Sequence, residues 1–191
     1  MTHNAQRIRP RRFTIEEYYK MSDAGILRAD DRVELIEGEI FEMSPVGTPH
    51  SSSVVRLTRL LILAVGDKAV VSTQNPIRLG KRSQPEPDIL ILKPRGDDYA
   101  EAHPEPKDVL WLIEVSDTTL NYDRTTKLSL YARFNVPETW IVNLTDKRLE
   151  IYREPSPRGY KLARFLEGTD TASPERLPKF SVSVKSVFGQ Q

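Results

Sequence analysis

The stretch from Val109 to Ser116, VLWLIEVS, constrains this chain more than any other. Five consecutive apolar residues, Val109 to Ile113, read as a strand buried on both faces, since a half-exposed strand would alternate apolar and polar positions. The same run carries a problem. Glu114 stands between Ile113 and Val115, and taking a carboxylate out of water is costly unless something pairs with it.

The segments on either side predict which elements surround that strand. In FTIEEYYKMSDAG, Thr14 is placed as an N-cap with Glu17 three residues on, and Gly25 closes the short helix. RVELIEGEIFEMS alternates on both sides of Glu37-Gly38, as a β-hairpin does, with Val33, Leu35, Ile40 and Met43 on its apolar face. A longer helix follows, with Thr48 as N-cap, Pro49 at the first helical position, and Val54, Leu57, Leu61 and Val65 at helical spacing up to Gly66. KAVVST, PIRLG and PDILILK are strand candidates, and a loop from Pro94 to Lys107 leads into VLWLIEVS. NYDRTTKLSLYARFN predicts a helix ending before Pro137. TWIVNL, RLEIYRE and GYKLARF predict a closing β series with turns at Thr145-Asp146 and Pro157 to Gly159. This order predicts an α/β or α+β domain around one mixed sheet, spanning residues 13–191, preceded by a flexible basic arm over residues 1–12.

Composition narrows the class. Apolar residues make up 38% and charged residues 29%, the balance of a globular chain. No apolar run approaches the roughly 20 residues needed to cross a membrane, and the arginines near the N-terminus precede no apolar core of a secretory signal. Cysteine is absent, which removes disulfides, thiolate metal sites and cysteine nucleophiles together. The expectation is a cytoplasmic protein. The net charge of +1 is uninformative, but residues 56–95 carry eight basic against three acidic side chains, a local +5, and the head of the chain adds Arg7, Arg9, Arg11 and Arg12. Such a patch can track phosphates, or it can be an ordinary solvated surface.

Few residues are placed to do chemistry. Asp88 opens the apolar strand ILIL, and Glu114 interrupts the end of another. If the two strands are neighbours, the carboxylates meet at one end of the sheet, where they repel unless a cation sits between them. A hard divalent ion with oxygen ligands suits that position, and Mg²⁺ commonly takes one or two protein carboxylates. The alternative is that each acid caps a loop or pairs with an arginine. Lys127 borders the inward helix face defined by Leu130, Tyr131 and Phe134, so its ammonium either reaches the acids or snorkels to water. His50 lies in the first turn of the long helix, where the helix terminus favours a neutral imidazole able to accept a proton or bind metal. It can equally be a capping or surface histidine. Among the hairpin acids, Glu37 sits in the turn and is expected in solvent, and Glu34 can face the same cleft as Asp88. Ser51 to Ser53 beside His50 lack a Gly-x-Ser-x-Gly elbow, neither GxGxxG nor a P-loop occurs, and no His or Cys cluster suits zinc.

ELIEGEIFEMSPVGTPH, then PDILIL, then LIEVSDTTLNYDRTTKLSLYARFNVPETWIVNL resembles, in that order, the Uma-type restriction-endonuclease family of the PD-(D/E)XK nuclease superfamily, from about Arg32 to Arg153. The resemblance implies a restriction-endonuclease-like fold, a central mixed sheet flanked by helices, with Asp88 and Glu114 as metal ligands for Mg²⁺ or Mn²⁺. The superfamily's usual lysine would stand two residues beyond Glu114, where this chain has Ser116. Lys127, from the next helix, is the candidate replacement, and His50 and Glu34 match supporting positions. The implied activity is metal-dependent hydrolysis of DNA phosphodiester bonds, with homodimers among the family's habits. The competing readings are a catalytically silent DNA-binding or regulatory protein that keeps the fold, and an interaction module that dimerises through exposed strands.

Overall fold

A computed structural model describes residues 9–28 and 30–189. The first eight residues of the predicted arm lie outside the described residues, while Arg11 pairs with Glu17 and Arg12 with Glu39, at 2.6 Å for the latter.

Helix α1 (Ile15–Asp23) begins with the predicted capping box: Glu17 N–H donates to Thr14 Oγ1 at 3.2 Å and Thr14 N–H to Glu17 Oε2 at 3.0 Å. Strands β1 (Val33–Ile36) and β2 (Glu39–Glu42) form the predicted hairpin. Its two turn residues both take positive φ, 52° at Glu37 and 81° at Gly38, the combination that matches strand twist in a two-residue turn. Glu37 stays half-exposed but pairs with Arg133 at 2.8 Å rather than standing alone in solvent.

Helix α2 (Thr48–Val65) buries Val54, Leu57, Leu61 and Val65, as the spacing predicts. Its cap lies one residue earlier than predicted, at Gly47, with no side-chain cap bond. β3 (Val70–Thr73), β4 (Ile89–Leu92), β5 (Val109–Ser116), β6 (Glu138–Asn143), β7 (Arg148–Ser156) and β8 (Gly159–Leu166) then build a six-stranded sheet in that spatial order. PIRLG is not one of its strands. Ile77 and Leu79 are fully buried, yet their amides bond to Pro85 and Ser83 carbonyls in a looped-back segment that turns at Gly80, with φ 66°. Beyond β8, β9 (Thr171–Ala172), β10 (Val182–Ser183) and the short α4 (Val184–Val187) close the core.

Every neighbouring pair in the large sheet is antiparallel except β5 and β6. A parallel pair needs a crossover, and α3 (residues 120–133) supplies it. The strand period of two then sorts β5. Trp111, Ile113 and Val115 face the core under α2, and Trp111 packs against Trp140 with ring centroids 5.9 Å apart. Leu112 turns the other way, toward Leu130 and Tyr131 of α3. Glu114 and Ser116 share the parity of Leu112, so the buried carboxylate points at α3.

α3 is not the uniform helix that its sequence predicts. Leu120–Tyr122 and Leu128–Arg133 are α-helical, but Asp123–Lys127 is a π-turn, with Leu128 N–H donating to Asp123 O. Three side chains clamp this wider turn to the sheet. Asp123 accepts from Ser116 Oγ at 2.7 Å, Lys127 reaches Glu114, and Arg124 pairs with Glu150. Glu150 and Glu114 stand opposite the same β6 residue, Ile141, from either side. Burial pushes the Glu150 carboxyl up, but hydrogen bonds from Arg124, Tyr152 and Asn143 outweigh it and hold the group below its ordinary range.

A carboxyl with a depressed folded pKa stabilises the fold above the unfolded carboxylate pKa and loses that contribution as pH falls through the folded value. Glu150→Gln should therefore cost about 2 kcal/mol at pH 7, since it breaks a buried ion pair whose arginine is partly solvated. Urea unfolding of both proteins at pH 7 and pH 3 checks this: the gap should shrink at pH 3.

Candidate active site

The C-terminal end of β5 opens into a cleft of about 760 Å³ between the β1–β2 hairpin, the start of α2 and the π-turn of α3. All five sequence-predicted residues, Glu34, His50, Asp88, Glu114 and Lys127, line it. Each arrives by a separate route. Asp88 precedes β4, whose Ile89 pairs with Ile113, so the antiparallel register sets Asp88 beside Glu114. Asp88 N–H points at Glu114 Oε2 at 3.4 Å, and Val115 N–H donates to Asp88 Oδ2 at 2.8 Å. His50 descends from the first turn of α2 and puts Nε2 3.1 Å from the same Oδ2. Glu34 comes from β1, on the side of the hairpin opposite Leu35.

Lys127 joins these strands to the helix. Its Nζ lies 3.3 Å from Glu114 Oε1 and 3.4 Å from Glu34 Oε2, and donates to the Glu86 carbonyl at 3.5 Å. The lysine is 6% exposed, so it does not snorkel. Burial alone would lower its pKa, but the carboxylates of Glu114, Glu34, Asp123 and Asp88 win and raise it, so the ammonium stays charged. Glu114, 3% exposed, moves the opposite way from an ordinary ion-paired acid: burial pushes it up to about 8, Lys127 opposes, and Asp123 and Asp88 add to the rise. One ammonium is shared among several acids.

His50 meets a neighbour that its helix position alone does not show. The hydrogen bond to Asp88 outweighs burial and raises its pKa, favouring the imidazolium over the preference of the helix terminus.

Four further residues belong to the arrangement and were not predicted. Tyr131, which its spacing marks only as an inward-facing residue, donates its hydroxyl to Glu114 Oε1 at 2.6 Å. Tyr122 donates to Glu34 Oε1 at 3.0 Å. Asp123 accepts from both Ser116 and Thr119 at 2.7 Å, which anchors the π-turn at its first residue. Glu86, between two prolines, presents its amide to Glu34 and its carboxyl to the cleft, where burial and then Glu34 push its pKa up. A hydroxyl on an otherwise apolar helix face is the one clue that points to Tyr131. Tyr122 and Asp123 depend on how the π-turn meets the sheet and hairpin, and Glu86 on the loop that brings it beside Glu34, neither of which residue spacing encodes.

The donor set fits a hard divalent cation. Seven acidic residues line the cleft against Arg32, Lys127 and His50, and Glu114 is held against ionisation by burial and like charge, which a cation would reverse. Among the described residues no group of three or more His, Cys, Asp or Glu side chains is placed as a cage that could hold a metal ion. Mg²⁺, which keeps several waters and takes one or two carboxylates, needs no such cage. None of the eight basic residues counted between positions 56 and 95 lines the cleft; Arg78 pairs with Glu16 and Arg95 with Asp97.

Residues 15–185 match the Uma2 family, described as "Putative restriction endonuclease". The chain belongs to this family. A crystal structure of a protein described as a putative nuclease, from Anabaena variabilis, superimposes with a TM-score of 0.71 at 17% identity, covering 93% of this chain and 98% of that one. The fold is thus restriction-endonuclease-like, a mixed six-stranded sheet flanked by helices. No curated protein matches the chain. Among the described residues no helix is long and apolar enough to cross a membrane.

Removing Lys127 from this Uma2-family protein leaves buried acids without their cation. Lys127→Met should destabilise the fold by about 3 kcal/mol in urea unfolding at pH 7, and adding Glu34→Gln should recover part of the loss. A double variant no more stable than the single one would contradict the shared-ammonium arrangement.

Proposed function

We propose that this protein is a divalent-metal-dependent endonuclease that hydrolyses DNA phosphodiester bonds. One observation carries the reading: a buried acid at the end of a central strand, Glu114, lies beside Asp88 from the neighbouring strand and 3.3 Å from a buried ammonium. A purely structural pair would need one acid and one base. Here acids exceed bases in an open cleft, and a structural core gains nothing from that excess.

Asp88 and Glu114 would hold Mg²⁺ or Mn²⁺ through their carboxylate oxygens. When bound there, such an ion neutralises phosphate charge and lowers the pKa of its water. The remaining work falls to the chain. Lys127 Nζ, kept charged by its neighbours, stabilises negative charge that builds on the phosphorane oxygens or orients the attacking water. Tyr131 fixes Oε1 of Glu114 through its hydroxyl, and the Asp88 amide lies 3.4 Å from Oε2. His50 and the Val115 amide fix Asp88 Oδ2. Glu34 holds the lysine from the far side, braced by Tyr122 and the Glu86 amide.

Purified protein incubated with supercoiled plasmid should nick it in Mn²⁺ and not in chelator, and Asp88→Ala and Lys127→Ala should each reduce the rate at least about 100-fold. Nicking that survives both substitutions would refute the proposal. Calorimetric titration with Mn²⁺ gives a second check, with Glu114→Gln expected to bind about tenfold more weakly or worse.

A further inference from the structure

One wall of the cleft has no part in the chemistry above. Beside Glu34, its cross-strand partner Phe41 lines it together with Met43, Pro45 and Val46, from β2 and the loop that follows, and Val46 is 36% exposed. The Phe41 ring packs against Tyr122, centroids 5.7 Å apart and tilted by 45°. Tyr122 is held in place from the acid side by its bond to Glu34, the residue that also contacts Lys127. The apolar wall and the acid floor therefore meet through one tyrosine, and what rests on the wall lies next to what is held at the floor.

Resting on the nuclease reading, we infer that the substrate is unpaired DNA, a single strand or a distorted segment, with the base beside the scissile phosphate seated against Phe41 and Tyr122. Charge and shape both favour it. A duplex brings one phosphate per ~1.7 Å of axis and binds through basic surfaces. This cleft sets seven acids against Lys127, already shared among buried carboxylates, His50, bonded to Asp88, and Arg32, bonded to the Ser44 carbonyl at 3.2 Å. Phosphate density on that scale is repelled beyond the immediate metal site. A single strand presents fewer charges and, in addition, exposed base faces, which stack on aromatic rings whatever their sequence. In a duplex those faces are covered by neighbouring pairs, so no base face reaches the Phe41–Tyr122 pair until a base leaves the stack.

The experiment has two arms. In Mn²⁺, cleavage of a single-stranded oligonucleotide and of a duplex with an unpaired bubble is compared with cleavage of the perfect duplex of the same sequence. In Ca²⁺, fluorescence of a single strand carrying 2-aminopurine is followed on binding to wild type and to Phe41→Leu, which keeps apolar bulk and removes the ring. The expected result is cleavage at least about tenfold faster on unpaired DNA, with quenching that Phe41→Leu abolishes. Duplex cleaved as fast as single strand would overturn the inference and leave the nuclease reading standing. If no substrate is cleaved, the nuclease reading fails and the fluorescence arm decides: Phe41-dependent quenching upholds an unpaired-base site, and quenching equal in both proteins, or none in either, removes it.

Discussion

The burial of Glu114 opposite Lys127 is the interaction on which the other features depend. A carboxylate in the central strand of a sheet covered on both faces demands a cation within reach, and the sheet offers none. The nearest supply is the crossover helix that the parallel pairing of β5 and β6 requires. Placing Lys127 there constrains the helix in turn. Its ammonium must meet Glu114 on the sheet and Glu34 on the hairpin, while Asp123 and Arg124 of the same turn must meet Ser116 and Glu150. A π-turn, which wraps five residues where an α-turn wraps fewer, brings all three to the sheet. Such turns recur at functional sites because they aim side chains that a regular helix would spread around its axis.

The cleft is consequently under-compensated. One ammonium serves several acids, and burial, with Asp123 and Asp88 adding to it, pushes the Glu114 carboxyl up against the pull of Lys127. A fold optimised for stability alone would replace one of these acids with an apolar or amide side chain, and this retention of charge where it costs stability is what the proposed nuclease function rests on. On the proposed nuclease reading, the same excess of acid leaves room for little phosphate beyond the reacting one, and the aromatic surface beside Glu34 is what the inferred unpaired base would rest on.

Much of this was legible from residues alone. The apolar run of VLWLIEVS marks a doubly covered strand, the Glu37-Gly38 turn marks the hairpin, and the spacing of Val54, Leu57, Leu61 and Val65 marks the buried face of α2. PIRLG misleads because Ile77 and Leu79 are buried by loop packing, which imposes no strand period. Lys127 is identifiable as an inward residue, and Asp88 and Glu114 as acids where acids are expensive. Tyr122, Asp123 and Tyr131 escape because their hydroxyls and carboxyl act through partners 88, 7 and 17 residues away. For His50, the helix terminus is local and visible, and its hydrogen-bond partner Asp88, 38 residues away, is not.

The sequence by itself determined the hairpin, the strands of the large sheet, the buried face of α2 and the presence of acids in apolar surroundings, because apolar period and turn chemistry act over a few residues. Only the tertiary structure decided that five residues from five separate segments share one cleft, that the helix widens at Asp123–Lys127, and which group each acid contacts. Those outcomes come from strand register and crossover packing, which bring distant side chains within about 3.5 Å, the range over which hydrogen bonds form and charges in a buried site set one another's protonation.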